Sequence, residues 1–470
     1  MNFQELDPTL PREALALAET AGEFGRTVMR PAGIALDRLK DPSDVIAEGS
    51  VLWDVVKGYR EQGFHKLMIP GAFGGWMGKV PPETGVLLGE RFGHADAGLA
   101  VSLAVSGMPF AMAPFFNDAK IRRLARDYAE DRDGAMVGCW GITEPDHGSD
   151  WPMGATAQGS DPKLAPSLQA VKKGNAYVLN GQKSAWVSNG TIATHAMLHV
   201  GLDSSLGMHG QMLAFCPLDL PGISRGKPLN KIGQRALNQG EIFFSDVVLP
   251  KSHLLFYKPL PGGDSPMARG SLGIVNGETS IMISGLTRAA YDEAVKYVRE
   301  NGRNNGCLSR DENVRLKLFE MFATTEAVRA FVRRSLKFRE SFLQPKISRV
   351  FPGSLVMSYE STFALAAKWL QVFFRMYDLS FKIKPVRSYF RKTWQSDRVK
   401  FRYGTGKYGV AAKVLATEAA FEIASAALEI VGEDGLTGRY PVEKMLRDAR
   451  ASMIEDGCNE SLALAASEDL

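Results

Sequence analysis

The sequence predicts an α+β protein: an N-terminal helical domain, then a small antiparallel β-barrel or sandwich, then a C-terminal helical bundle. Three observations predict it. Apolar residues recur at spacings of three and four up to about residue 130. Short β-rich runs divided by Gly, Asn, Asp and Pro then take over. The helical period returns beyond a loop rich in Pro and Gly. With 470 residues the chain is too long for one ordinary core, so two or three domains are expected.

The first domain, 1–132, carries the helical period in "REALALAETAGEFGRTVMRPAGIAL" and "IRRLARDYAEDRDG". The second, 133–262, holds "AMVGCWGIT", "YVLNGQKSAWVSNG", "HAMLHVGLD", "QMLAFCPLD" and "GEIFFSDVVLP", strands at short intervals. "YKPLPGGDSPMARGSLG" marks the boundary. The third, 263–470, is helical in "SGLTRAAYDEAVKYVREN", "ENVRLKLFEMFATTEAVRAFVRRSLKF" and "GVAAKVLATEAAFEIASAALEIVG", with a basic and aromatic insert at about 347–402.

Composition narrows the function classes. A formal net charge of +4 over this length does not by itself indicate a nucleic-acid protein. The 4 cysteines are scattered with no CxxC pair, which argues against a zinc ribbon or disulfide framework and fits a reducing compartment. The N-terminal "MNFQELDPTLPREALALAE" is acidic and lacks a secretion or transit pattern. No uninterrupted apolar run reaches the roughly 18 residues that a membrane span needs. A cytoplasmic protein is expected.

Two motifs carry other readings than a site. Gly404, Gly406 and Gly409 make a literal GxGxxG, but the run after them, "VAAKVLATEAAFEIASAALEIVG", has no break and reads as one long helix, so the glycines shape a helix entry. His195 and His199 share a face, with no third metal ligand nearby. No GxSxG elbow or P-loop is present. More informative is "GCWGITEPDHGSDWPMGATA" beside "YVLNGQKSAWVSNG". Thr143, Ser149 and Ser188 supply hydroxyls there, and Trp140 and Trp186 supply aromatic surface. Such a set suits a flat polar heterocycle as well as it suits ordinary barrel packing.

With those stretches, the ordered motifs "ITEPDHGSD", "LNGQKSAWVSNG", "IGQRALNQGEIFFSDVVLP", "AYDEAVKYV" and "YPVEKMLRDAR" make the chain resemble the acyl-CoA dehydrogenase flavoproteins over nearly its whole length. The resemblance implies FAD, with Trp140, Ile142 and Thr143 against the isoalloxazine and Ser149 near the cofactor and the pantetheine arm of CoA. Trp186 flanks the ring, and Ser188 offers its hydroxyl toward flavin N5. It also implies an acyl-CoA substrate, α-proton abstraction with hydride transfer from Cβ to N5, and an enoyl-CoA product. An electron-transferring flavoprotein would be the acceptor, and a homodimer or homotetramer would share the FAD site between subunits. Of the residues that hold FAD away from the ring, Arg303 and Gly432 are retained. The chain departs from the pattern at Gly306, Asn313, Glu429 and Glu433, and Asn276 stands where the substrate helix usually begins with Arg.

The chain closes on "RDARASMIEDGCNESLALAASEDL", where Glu455 and Asp456 precede Gly457. A solvated helix end is one reading; a catalytic base is the other. The family's catalytic glutamate, immediately before Gly, falls on Asp456. Pro441 starting the helix and Gly457 ending it would put Asp456 at a negative helix terminus beside a second carboxylate. Both influences, with desolvation by an acyl chain, are expected to raise its pKa. Glu278 is the competing base, although the alternative family position falls on Val275, about one turn away.

The insert ends in "FKIKPVRSYFRKTWQSDRVKFR", whose cations interleave with Tyr389, Phe390, Trp394 and Phe401. A solvated basic face is the plain reading. The alternatives for 382–402 are an anionic membrane surface, which would make the protein peripheral at its inner face, an acidic partner, or nucleic acid. Two rival functions stay open: a flavin oxidase of a small non-CoA carbon acid such as a nitroalkane, and a DNA-associated flavoprotein of the same fold.

Overall fold

The computed structural model describes residues 5, 7–255, 266–305, 308–343 and 406–468. The insert at about 347–402 and Gly404 lie outside the described residues.

Helices α1 (Arg12–Phe24), α2 (Arg30–Asp37), α3 (Val51–Glu61), α4 (Glu83–Ala95), α5 (Ala97–Met112) and α6 (Ala119–Glu130) build the N-terminal domain. Side-chain caps set several starts: Ser50 accepts from Leu52 N, Asp96 from Leu99 N at 2.9 Å and Asp118 from Lys120 N at 2.8 Å. Phe24, Phe64, Leu88 and Phe92 close one core among these helices. The stretch Ala97–Phe115 is the one described helix long and apolar enough to cross a membrane. About two-thirds of it (67%) is buried inside the protein, as befits a core helix.

The middle domain holds β1 (Gly138–Gly141), β2 (Gln169–Lys173), β3 (Ala176–Lys183), β4 (His195–Gly201), β5 (Gln211–Pro217), β6 (Ile223–Arg225), β7 (Ile242–Pro250) and β8 (Leu254–Leu255). They form one sheet in the order β6-β7-β3-β2-β4-β5-β8, with β1 paired to β4. The antiparallel expectation holds for most pairs. Two are parallel, however: β1 with β4, and β2 with β4 through Gln169 and Gly201 alone. The sheet is therefore open and mixed. The cause is connection length: β1 and β4 are too far apart in sequence for a hairpin, so β1 can join beside β4 in parallel.

The bundle comprises α7 (Pro266–Asn305), α8 (Glu312–Leu343), α9 (Gly406–Val431), α10 (Glu433–Leu436), α11 (Val442–Ser452) and α12 (Asn459–Ser467). Their shared core includes Leu286, Ala290, Val332, Ala416, Ala420 and Ile423. The GxGxxG stretch acts here. A Cβ on Gly409 would lie 1.9 Å from Gly273 O, and one on Gly273 would lie 2.4 Å from Gly406 Cα. These glycines let α7 and α9 cross almost backbone to backbone, and α9 runs unbroken to Val431.

Candidate active site

The closing acidic pair lies where bundle and sheet domain meet. Helix α11 has Pro441 at its N-cap and ends at Ser452, earlier than expected, so Asp456 lies in the following turn rather than at a helix terminus. The helix dipole is therefore not its main influence. Asp456 has φ +53° and Gly457 φ +110°. Asp tolerates the left-handed region better than most side chains do, whereas the second value favours glycine. A Cβ on Gly457 would also press on Pro152 at 3.0 Å and Leu462 at 3.1 Å. Pro152 belongs to the sheet domain, so the turn is seated on it.

Four polar side chains grip this turn. Thr279 of α7 donates from its hydroxyl to Asp456 Oδ2. Gln234 Nε2 donates to Glu455 Oε2 at 3.0 Å, and Gln234 N donates to Asp448 Oδ1 at 2.5 Å. Lys413 of α9 lies beneath, and Asn459 begins α12. Burial, then the neighbouring Asp456 carboxylate, push Glu455 up to about 7. The pKa of Asp456 is raised too, by desolvation around its carboxylate and against the Thr279 bond and the Lys413 charge, although the residue as a whole is exposed to solvent. The expected rise is present, with burial as its first cause. The backbone N–H of Asp456 has no partner among the described residues. Glu278 is half-buried on α7 and has interactions of its own.

The residues expected around a heterocycle come together at one end of the sheet. Trp140 is on β1, and its Nε1 is buried without a partner among the described residues. Ile142 and Thr143 follow it. Lys183, at the end of β3, donates to Ile142 O at 3.0 Å and to Glu144 Oε1 at 2.6 Å. Glu144 also accepts from Ser167 N and from Leu168 N at 3.0 Å, so its buried charge is fully satisfied. Ser184 N donates to Thr143 O at 2.9 Å, which brings the second stretch alongside the first. Trp186 is 57% exposed. The Ser188 hydroxyl accepts from Gln239 Nε2 at 3.1 Å, leaving its own proton to give. Ser149 is exposed in the turn that the His147–Asp150 contact closes at 2.7 Å.

The two histidines have ordinary packing roles. His199 lies between Trp140 and Trp151, with ring centroids 5.9 and 4.5 Å away. Burial and the nearby Lys183 charge hold it down at about 3, so it stays neutral. His195 meets the Phe110 ring edge-on at 5.4 Å.

Gly432 and Arg303 stand elsewhere. Gly432, with φ 63° and ψ −139°, joins α9 to α10, and along α9 the axis from Lys413 to Val431 runs about 27 Å at about 1.5 Å per residue. Arg303 lies near the end of α7, where the description does not extend to its side chain. Sequence reading missed Thr279, Gln234, Lys413 and Asn459. Only Lys413 left a signal, as a lone charge within the apolar stretch "GVAAKVLATEAA".

Comparison with known proteins identifies the family. The family profile described as the acyl-CoA dehydrogenase middle domain matches residues 139–247, and the C-terminal domain of the same family matches 268–345 and 372–470. The mitochondrial short-chain specific acyl-CoA dehydrogenase of Mus musculus is 24% identical over 371 residues, covering 79% of this chain and 71% of that one. For its Rattus norvegicus counterpart the match is 25% identical and spans 70% of this chain and 61% of the relative's length. A probable acyl-CoA dehydrogenase of Bacillus subtilis is 24% identical over the full length of both chains, 100% of each. A solved acyl-CoA dehydrogenase from Bacillus anthracis, complexed with FAD, shares the fold at a TM-score of 0.72 and 19% identity, covering 97% of this chain and 65% of that one. Both domain matches, in the order that the sheet and bundle follow here, establish that this chain belongs to the acyl-CoA dehydrogenase family of oxidoreductases.

Proposed function

We propose that the chain is an FAD-dependent dehydrogenase of an acyl-CoA thioester, with Asp456 as the base that removes the α-proton. The observation that carries this reading is the Asp456 turn: a carboxylate oriented by Thr279, with a raised pKa, beside a backbone N–H that has no partner among the described residues. A carboxylate whose pKa is raised above its ordinary value is a stronger base toward a weakly acidic proton. The negative charge developing on the thioester oxygen needs preorganised donors, and the Asp456 N–H is available as one.

The residues present fit FAD. An orphaned indole N–H at Trp140, an exposed indole at Trp186 and the Ser188 proton offer stacking area and directed hydrogen bonds. The Lys183–Glu144 pair braces the backbone at Ile142 and Thr143 that would lie against it. When bound, FAD supplies the hydride acceptor. Ser149, exposed beside this face, is assigned to the pantetheine arm. Because Gly432 follows the end of α9, about 27 Å along it from Lys413 at about 1.5 Å per residue, Gly432 and Arg303 are assigned to the FAD of a second copy in a homodimer or homotetramer. An electron-transferring flavoprotein is the proposed acceptor.

The test is a panel of straight-chain, branched and alicyclic acyl-CoAs added anaerobically to the purified yellow protein. Bleaching of the flavin band is the expected result. Bleaching by nitroalkanes alone would make it a carbon-acid oxidase, a reading favoured by Asp, rather than Glu, at the base position. Salt-sensitive retention of DNA without bleaching would make it a DNA-associated flavoprotein.

A further inference from the structure

Lys413 is 0% exposed, in the first half of α9. A lysine ammonium has three protons to place, and a buried one must place them all. Lys413 Nζ donates to Gly457 O at 2.9 Å, to Asn459 Oδ1 at 2.9 Å and to Met453 O at 3.3 Å. Met453 and Gly457 bracket Glu455 and Asp456, so one cation holds both ends of the turn. The third anchor is itself held. Asn459 Nδ2 donates to Thr417 Oγ1 at 3.0 Å, and the Thr417 hydroxyl donates back to Lys413 O at 2.9 Å, one turn along the same helix.

The other two buried lysines are arranged differently. Lys183 is paired with Glu144 at 2.6 Å, and Lys444 with Asp96 at 2.6 Å and Asp448 at 2.5 Å. Lys413 contacts neutral oxygens instead, and its charge acts on Asp456 and Glu455 through the turn. Cys458 and Glu460 face it from the start of α12, Lys231 stands beyond Glu455, and Thr279 closes the α7 side. Removing an ammonium from water is costly, and among the described residues this one gains no contact ion pair in return. Its three bonds all go to the segment that carries the carboxylates.

We propose that Lys413 is a positioning residue for the dehydrogenation: its ammonium clamps the Met453–Gly457 turn from both ends and holds Asp456 in the left-handed conformation that presents its carboxylate to Thr279 and the substrate. The inference rests on the reading of Asp456 as the base. A left-handed non-glycine backbone persists only where its surroundings hold it. Releasing the clamp lets the carboxylate drift, and a displacement of about 1 Å is worth about 100-fold in rate.

The experiment compares Lys413→Met, Asn459→Ala and Asp456→Asn, each purified with its FAD. Lys413→Met is expected to lower the rate of flavin reduction by acyl-CoA about 100-fold with little change in KM. Its acid limb moves to higher pH, because the cation that favours ionised Asp456 is gone. Deuterium exchange in the 453–459 peptide, measured without substrate, becomes faster. Asn459→Ala keeps the charge and two anchors; it is expected to speed that exchange and lower the rate by less, with the acid limb unmoved. If Lys413→Met yields no folded holoprotein, Asn459→Ala decides by the same exchange and rate measurements. Wild-type rate and exchange in the deciding variant, with Asp456→Asn inactive, overturn the clamp and leave the base in place. A fully active Asp456→Asn overturns the base reading and this inference with it.

Discussion

Replacing Asp456 by Asn is the sharpest test of the site, because the structure lets the change be almost purely chemical. Asn adopts the left-handed region as readily as Asp, so φ +53° is kept. Its amide oxygen can still accept from Thr279. The variant loses an attraction to Lys413 and a repulsion from Glu455, which offset each other. Stability should therefore change by no more than about 1 kcal/mol, the scale of an ordinary substitution. What disappears is basicity. A positioned general base contributes about 10²–10⁴-fold, so a loss of about 10³-fold, or about 4 kcal/mol of activation free energy, is expected. Glu455 cannot step in: with its charged neighbour gone its pKa falls from about 7, and Gln234 holds it aside. Glu278→Gln, one residue from Thr279, should cost less than about tenfold, below the contribution of a general base. The assay is anaerobic stopped-flow bleaching of the flavin by acyl-CoA, with FAD content and acyl-CoA binding measured in parallel. Normal bleaching in Asp456→Asn together with an inactive Glu278→Gln would give the base to Glu278 and refute the reasoning.

Three further outcomes follow from other parts of the molecule. Ser188→Ala should slow flavin reduction more than it lowers FAD content, since it removes one hydrogen bond and leaves the stacking indoles. Equal rate and content in the variant would show that Ser188 does not face the ring. Glu90 is 1% exposed; burial opposes its charge, but the Arg333 and Arg329 guanidiniums outweigh it and bring its pKa from 4.5 down to about 2. A depressed carboxyl stabilises above its unfolded value and loses that contribution as pH falls through the folded one, so this share of stability should vanish between about pH 4.5 and 2. Glu90→Gln should lower stability by about 3–5 kcal/mol near neutral pH, leave buried Arg329 and half-buried Arg333 each short of one carboxylate, and flatten the acid dependence of thermal melting. Reversing Arg391 and Lys392 to Glu, in the insert outside the described residues, should leave flavin reduction unchanged and weaken binding to anionic liposomes at low salt. Unaltered liposome binding would return that segment to a solvated basic face.

The layout was legible in the sequence, and so were several of the polar and aromatic positions that the fold brings together. Helical and strand periods are local properties, so the succession of helices, sheet and bundle was legible, as were the hydroxyls and indoles at 140–149 and 186–188. The closing Glu455-Asp456-Gly457 stretch stood out as a candidate because two adjacent carboxylates before a glycine are conspicuous in one dimension. Tertiary structure decided the rest. Parallel joining of β1 to β4 depends on strands far apart in sequence. The GxGxxG stretch took its meaning from Gly273 on another helix. Asp456 proved to lie in a turn beyond α11, with burial rather than a helix dipole as the first cause of its raised pKa. Thr279, Gln234 and Lys413 reach that turn from three separate segments. A hydrogen bond or a buried charge across such sequence distances leaves no periodic trace, because it depends on where the backbone folds back and not on which residues are neighbours in the chain.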